Sequence, residues 1–307
     1  MTPDQEIFDR PLLMRRRNRV AAAAEQHEFL LAHVADDLTE RLAAIQRTFP
    51  VALNLGAYHG MLGRRLRRIP GIEVVIDAEP SASLLRQCGH PRVQADEESL
   101  PFREGSLDLV VSGLSLQLVN DLPGALVQIR RALKPDGLLL AAMLGGATLT
   151  ELRQGLLAAE EEMTGGASPR VAPLADVQDM GALLQRAGFA LPVIDSDTLV
   201  ATYPDPLALM REVRAMGGAN VLKVRARRPL RRAVLQRALA LYGERFGLPN
   251  GRVPATFEII TLTGWAPHER QQKPLQPGTA RMRLADALGT AEHPAGGKTP
   301  PALPRRR

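Results

Sequence analysis

Short apolar runs alternate with stretches of helical pattern between residues 51 and 144, and this alternation restricts the fold more than any other feature of the chain. Each run has the length of a strand, and parallel strands that are covered on both faces are almost continuously apolar. The apolar runs cover residues 51–55, 72–76, 93–95, 107–112 and 138–144. Strand and helix repeated at this spacing predict βαβ units and a parallel sheet.

The rest of the chain extends this domain at both ends. Apolar residues at spacings of three and four predict one long helix over 11–47, after a loose lead over 1–10. Further helices are predicted at 148–163, 174–187, 206–216 and 229–246, with strands at 194–202 and 256–264. The predicted fold is therefore α/β: a doubly wound, mostly parallel Rossmann-like sheet of six to seven strands.

The predicted domain organisation has three parts. An N-terminal helical extension covers 1–48, and the main domain covers 49–268 with a helical, basic insertion at about 204–247. From 269 to 307 proline and glycine accumulate, which predicts a tail that is disordered from about 289. A length of 307 residues suits one large domain with such attachments.

Cysteine content and charge indicate a compartment and a class of partner. Cys88 is the single cysteine, which fits a reducing compartment such as the cytosol. The segment 220–246 carries a net charge of +7, more than the +6 of the whole chain. Such a segment suits an acidic protein or an anionic membrane surface, so we expect a cytoplasmic protein, peripheral to the inner face of the membrane. Its aromatic residues are not interleaved as in single-strand nucleic-acid binders, and no specific nucleic-acid signal is present.

The turn after the first predicted strand is the first candidate ligand site. It reads Asn-Leu-Gly-Ala-Tyr-His-Gly over 54–60 and begins with Asn54. In doubly wound folds a nucleotide-like ligand binds outside the carboxyl end of this strand. Gly56 and Gly60 can take positive φ and let a ligand approach the backbone. The spacing matches neither the three-glycine dinucleotide pattern nor a phosphate-binding loop.

Carboxylates follow the next two predicted strands. Asp77 ends the second strand, where a carboxylate can accept hydrogen bonds from both hydroxyls of a ribose. Asp96 ends the third strand, where it can accept from the amine of an adenine. Glu79 and Glu97 lie beside them and are alternatives for the same roles. The turn and these strand ends together predict a site for one adenosyl group.

Several longer motifs resemble those of class I S-adenosylmethionine-dependent methyltransferases. These are Ala-Asp-Glu-Glu-Ser-Leu-Pro-Phe at 95–102, Leu-Asp-Leu-Val-Val-Ser-Gly-Leu-Ser-Leu-Gln at 107–117 and Ala-Leu-Lys-Pro-Asp-Gly at 132–137. The segments 7–10, 119–123, 143–153 and 253–259 are similar to those of the mitochondrial complex I assembly factor 5 family and its bacterial members. This second resemblance covers about residues 7–285 and also implies a relation to the malonyl-carrier-protein methyltransferases.

The resemblance implies a cofactor, S-adenosyl-L-methionine, and the residues that bind it. Those residues are Asn54, Gly56, Tyr58, Gly60, Asp77, Asp96, Glu97 and Ser112. Two positions depart from the family pattern, because Asn54 stands where the family usually has an acid and Tyr58 where it has a glycine. Asn54 cannot offer a full negative charge to the ammonium group of the cofactor, and charge-assisted hydrogen bonds are about twice as strong as neutral ones.

Three functions are compatible with these residues. The first is methyl transfer to a protein or carrier-protein substrate. The second is hydroxylation of a protein arginine, and the third is a non-catalytic assembly factor for respiratory complex I; a complex I subunit is the implied partner. Methyl transfer mainly requires alignment of the reactants, so no catalytic residue is assigned. None of the six histidines belongs to a His-x-Asp/Glu pair, and no metal site is predicted.

Overall fold

The structure is a computed structural model that describes residues 6–271 together with Asp286 and Gly289. The chain divides into two units, 1–268 and 269–307. All helices and strands given below belong to the first unit, whereas the predicted disorder from about 289 lies almost wholly outside the described residues. Among the described residues, no helix is both long enough and apolar enough to cross a membrane.

The N-terminal region contains three helical segments instead of the single predicted helix. Helix α1 covers Arg10–Val20, a 3-10 segment covers Ala21–His27, and helix α2 covers Phe29–Ala44. The Asp9 carboxylate caps α1 by accepting from the Leu12 N–H at 3.0 Å. The prediction of a loose lead is wrong at its end, because the Phe8 side chain is buried and its N–H donates to the Asn120 side chain at 2.7 Å.

Seven strands form one sheet in the order β3-β2-β1-β4-β5-β7-β6. They are β1 Val51–Leu55, β2 Val74–Ala78, β3 Arg92–Val93, β4 Leu107–Gly113, β5 Leu133–Leu144, β6 Ala190–Tyr203 and β7 Val253–Trp265. Strands β1 to β5 are mutually parallel, and β7 runs antiparallel to both of its neighbours. The predicted doubly wound, mostly parallel sheet is confirmed.

Helices cover both faces of this sheet. The remaining helices are α3 Met61–Leu66, α4 Ala82–Leu85, α5 Leu122–Ala132, α6 Thr150–Thr164, α7 Val177–Arg186, α8 Pro206–Ala215 and α9 Arg232–Phe246. Adjacent residues of the central strands enter different cores: Val111 packs with α2, α6 and α9, whereas Val110 packs with α5 and α7. Because successive side chains of a strand point to opposite faces, a strand buried on both sides is almost continuously apolar.

The order of the strands reverses between β1 and β4. Asn54 pairs in register with Asp77 of β2 on one side and with Val111 of β4 on the other. The segments that follow β1 and β4 therefore leave the same edge of the sheet in diverging directions. Such a reversal opens the crevice in which doubly wound folds bind ligands.

The opposite edge of the sheet carries Trp265, the only tryptophan of the chain. Trp265 pairs with Leu138, near the start of the central part of β5. The Arg47 guanidinium lies 4.8 Å from the centre of the indole ring, within the range of a cation–π contact. This contact joins the segment after α2 to the last strand.

Candidate functional site

The turn after β1 has the left-handed backbone that its glycines predict. Gly56 has φ +67°, and a β-carbon there would overlap the Ser115 hydroxyl. Gly60 has φ +81° and lies against the backbone of Cys88, with 2.9 Å between an added β-carbon and the Cys88 Cα. Both positions therefore require glycine, for the backbone angle and for space.

Two carboxylates lie beside this turn without access to solvent. Glu79, the first residue after β2, accepts from the Tyr58 N–H at 2.9 Å and the Ser81 N–H at 3.0 Å. Glu97 accepts from the Ser115 hydroxyl. Both glutamates have a relative exposure of 0%. Burying an ionised carboxylate lowers the stability of the fold unless the carboxylate is paired, so the partners of these two groups determine what the site can do.

Two arginines of α1 are those partners. A guanidinium nitrogen of Arg17 lies 3.3 Å from a Glu79 oxygen and 3.6 Å from a Glu97 oxygen. Arg10 pairs with Glu97 and, at 2.6 Å, with Asp96. The two arginines are seven residues apart, which places them on the same face of a helix. Helix α1 thus presents two cations to the carboxylates at the rim of the sheet.

Burial and pairing shift the pKa values of these groups in opposite directions. Burial raises the pKa of Glu79, although Arg17 and two backbone N–H groups act against it. Burial would also raise the pKa of Glu97, but Arg17 and Arg10 together hold it below its ordinary value. The pKa of Arg17 is raised, because Glu79 and Glu97 outweigh the effect of burial. The charged form of the cluster therefore depends on Arg17.

Asp77, the predicted ribose ligand, lies apart from this cluster. One of its oxygens accepts from the Asn54 side chain at 2.7 Å and the other from Arg67 at 2.8 Å. A β-carbon on Gly63 of α3 would overlap the Asp77 carboxylate. Strand β2 continues to Ala78, so Asp77 lies within the strand and faces α3. Glu79 is the first residue after the strand and lies beside the turn. The geometry favours Glu79 over Asp77 for the ribose.

The other predicted site residues also form two groups, one at the rim of the sheet and one behind it. Asp96 lies at the rim, where its carboxylate accepts from the Glu98 N–H at 2.9 Å and pairs with Arg10. Asn54 is buried with Asp77 and does not reach the rim. Ser112 is buried within β4, and its hydroxyl has no partner among the described residues. Gly56, Asp96 and Glu97 are therefore brought together with Glu79, whereas Asn54, Asp77 and Ser112 lie behind them.

Tyr58 does not occupy the space between the two glutamates. Its backbone is in the left-handed region, at φ +53°, and its side chain packs with Ala21, Ala24 and Leu84. The hydroxyl donates to the Met216 carbonyl at 3.2 Å, and burial raises the pKa of the phenol to about 12. The Tyr58 side chain thus connects the turn to the segment after α8 and forms one wall of the adjoining cavity.

A cavity of about 160 Å³ adjoins the turn. At one end it is lined by Gly56, Tyr58 and Arg17, and most of the remaining wall is apolar. The apolar lining comprises Leu30, Leu31, Leu114, Leu118, Leu144, Leu149, Val213, Met216 and Phe257. Gln117 also lines the cavity; its amide nitrogen donates to the Leu114 carbonyl, while its Oε1 is buried without a partner in the described part of the chain. A reacting group in this cavity would be shielded from water on most sides.

The basic segment 220–246 is partly neutralised within the chain. Arg225 pairs with Asp9 at 3.1 Å, and Arg237 pairs with Glu162 at 2.9 Å. The structure therefore leaves fewer free cations in this segment than the sequence predicts.

No group of three or more His, Cys, Asp or Glu side chains within residues 6–271 has the arrangement of a metal site. His59, which lies in the turn, is fully buried and pairs with Glu28 through Nε2.

Comparisons with known proteins agree with this architecture. The family described as "Methyltransferase domain" matches residues 53–141. The chain is 38% identical to arginine-hydroxylase NDUFAF5, mitochondrial, of Danio rerio over 291 residues, which is 91% of this chain and 89% of the relative. It is 35% identical to the malonyl-[acyl-carrier protein] O-methyltransferase of Laribacter hongkongensis over 277 residues, which is 85% of this chain and 91% of the relative. The chain belongs to the class I S-adenosylmethionine-dependent methyltransferase family.

Structural similarity extends to solved structures of low sequence identity. The YcgJ protein from Bacillus subtilis has a TM-score of 0.53 at 15% identity, covering 77% of this chain and 99% of that chain, which shows the shared fold. S-adenosylmethionine is the cofactor of the methyltransferase family, and the donor set at the rim fits it. Glu79 and Asp96 carry carboxylate acceptors of the kind that ribose hydroxyls and an adenine amine require, and Gly56 lines the adjoining cavity.

The sequence did not indicate Arg10 and Arg17 as residues of the site of this methyltransferase-family protein. The one signal in the sequence is their spacing of seven residues, which places two cations on one helix face but does not show which surface that face covers. Gln117 follows β4 in one of the family-like motifs, and the structure places it in the cavity wall, whereas Ser112 is not part of that wall.

Proposed function

We propose that this chain transfers a methyl group from S-adenosylmethionine to a protein or carrier-protein acceptor. The observation that carries the proposal is the cavity beside Gly56, since it places an apolar, shielded space directly next to the cofactor turn. When bound, the cofactor supplies a methyl group that its sulfonium has already activated. The task left to the protein is to orient the acceptor and to exclude water.

In this proposal the residues at the rim hold the cofactor. Glu79 accepts from the ribose hydroxyls in an orientation that the N–H groups of Tyr58 and Ser81 fix in advance. Asp96 and Glu97 face the adenine. Arg17 contacts one oxygen of Glu79, Oε1, so a ribose hydroxyl that donates to this oxygen would replace the guanidinium contact. Gln117 offers its Oε1 as an acceptor to a donor group on the substrate.

Calorimetric titration with S-adenosylmethionine tests the proposal. We expect saturable binding, weakened about tenfold or more in Glu79→Gln, since a loss of about 1.4 kcal/mol corresponds to a factor of ten. Glu161→Gln, an exposed position on α6, is the matched control and should bind like the unaltered protein. Absence of binding at millimolar cofactor would exclude methyl transfer and would favour the non-catalytic assembly factor.

A second candidate is hydroxylation of an arginine in a respiratory complex I subunit. It is favoured by identities of 38% and 39% to relatives named arginine-hydroxylase NDUFAF5, from Danio rerio and Homo sapiens, over 91% of this chain. Mass spectrometry of complex I subunits from a deletion strain distinguishes the two reactions. A lost modification of about 14 Da indicates methylation and one of about 16 Da hydroxylation. The cytosolic location remains a proposal that rests on the single cysteine.

A further inference from the structure

Three arginines surround a surface pocket of about 280 Å³ beside the carboxyl end of α1. Arg16 and Arg19 come from the last turns of α1, and Arg214 comes from the last turn of α8. Val20, Gly217 and Ala219 complete the wall. Within the described part of the chain, none of the three guanidinium groups forms an ion pair with a carboxylate. The pocket therefore concentrates positive charge without a carboxylate in direct contact with the three guanidinium groups.

The electrostatics of Arg16 show the same imbalance. Its pKa is lowered by burial and then by the neighbouring cations Arg225, Arg19 and Arg214, and Asp9 only partly opposes this. Its guanidinium donates to the Asn220 carbonyl, a neutral acceptor. The carboxyl ends of α1 and α8 carry partial negative charge, which offsets part of the repulsion between the arginines. An anion in the pocket would offset the rest.

The arginine pocket opens onto an apolar groove of about 510 Å³. The pocket and the groove share Arg214, Gly217 and Ala219 in their walls. The groove also shares a wall with the cavity beside the turn. Its apolar lining includes Leu152, Leu156, Val171, Met210, Val221 and Leu230. Pocket, groove and cavity thus adjoin one another, and Gly217 lies in the walls of all three.

We propose that Arg16, Arg19 and Arg214 bind the phosphate group of an acceptor substrate whose apolar part lies in the groove. This assignment rests on the proposed function only in that the cavity receives the reacting group. Guanidinium groups bind phosphate through paired N–H donors, and three of them match an oxyanion that carries more than one acceptor edge. A carboxylate accepts along one planar edge, whereas the tetrahedral phosphate group can accept from guanidinium groups on more than one side, so phosphate fits the pocket better.

Binding of hexyl phosphate, measured by calorimetry without S-adenosylmethionine, tests the assignment. We expect each of Arg16→Met, Arg19→Met and Arg214→Met to weaken binding about tenfold, the effect of losing about 1.4 kcal/mol. Arg211→Met, an exposed position on the same helix as Arg214, is the control and should leave the affinity unchanged. Hexanol and hexanoate should bind more weakly than hexyl phosphate.

The source of the phosphate is resolved by comparing hexyl phosphate with methyl hexyl phosphate. Tighter binding of the monoester indicates that the natural substrate carries a free phosphate ester. Tighter binding of the diester indicates a substrate arm that is attached to its carrier through the phosphate. Both results support the site. Equal affinity for inorganic phosphate and hexyl phosphate would overturn it, because the groove would then contribute nothing. Tighter binding of an oligoglutamate peptide would overturn it in favour of an acidic protein partner. Because cofactor is omitted, these outcomes are independent of the methyltransferase test.

Discussion

Replacing Arg17 with methionine should destabilise the protein in a pH-dependent way. The change keeps much of the side-chain volume but removes the cation shared by Glu79 and Glu97. Glu97 keeps its pairing with Arg10, whereas Glu79 loses the only cation that pairs with it in the described part of the chain. Removing one member of a buried ion pair costs about 3–5 kcal/mol, so we expect a loss of about 3 kcal/mol in the free energy of unfolding at about pH 8.

The pH dependence follows from the direction of the Glu79 pKa. Burial raises this pKa, and loss of Arg17 removes the cation that opposes the rise. A carboxyl whose pKa is higher in the folded than in the unfolded protein contributes stability at low pH, which is lost as the pH rises through the folded value. The deficit of Arg17→Met should therefore be smaller at about pH 5 than at about pH 8, because the raised pKa makes protonation of Glu79 easier as the pH falls.

Urea unfolding at the two pH values measures this difference. The matched control is Arg15→Met, which removes an exposed arginine from the same helix and should stay within about 0.5 kcal/mol of the unaltered protein. Arg17→Met combined with Glu79→Gln should recover part of the loss at pH 8, because no buried charge is then left unpaired. An equal deficit at both pH values, or no recovery in the double variant, would refute the assigned role of Arg17.

Three further predictions follow from the site and the core. Arg17→Met should bind S-adenosylmethionine more tightly than the unaltered protein in calorimetry, because the ribose no longer competes with a guanidinium for Glu79; weaker binding would instead make Arg17 a ligand of the cofactor. Gly56→Ala should abolish cofactor binding and lower stability by about 1–3 kcal/mol, since its β-carbon overlaps Ser115 at a positive φ; a fully active variant would contradict this geometry. Tyr242→Phe should lower the thermal midpoint by about 2–6 °C, because the Pro254 carbonyl, 2.6 Å from the hydroxyl, loses its donor; an unchanged midpoint would show that water replaces the hydroxyl.

The order of strands and helices could be predicted from sequence because it depends on local periodicity. Both faces of the central strands are buried, so residues 138–144 are apolar without interruption, and residues 107–112 are apolar except for Asp108 and Ser112. The segment Lys-Pro-Asp-Gly at 134–137 has the composition of a turn but lies inside β5, where the pairing with β4 shifts register between Leu107 and Leu109. Such an irregularity depends on pairing with the neighbouring strand. Composition alone therefore predicts a turn at this segment and does not show that the segment belongs to a strand.

The composition of the candidate site was only partly predictable. The sequence identified the turn and the strand-end acids, but the choice between Asp77 and Glu79 depends on the residue at which β2 ends, and strand ends are set by pairing with neighbours. Arg10 and Arg17 were not predicted, because their roles arise from contacts more than sixty residues away in sequence. Local patterns describe the face of α1 and do not identify the surface that it covers.

The position of Trp265 determines which experiments can report on this protein. Its partner Leu138 and the cavity residue Leu144 are six residues apart on β5, which is roughly 20 Å along a strand. Intrinsic fluorescence therefore senses the loss of the last strand and of the stacked Arg47, and not the arrival of a small molecule at the opposite rim. The midpoint of unfolding, followed by tryptophan fluorescence with and without ligand, therefore reports the gain in folding stability. The bound molecule makes no direct contribution to this signal.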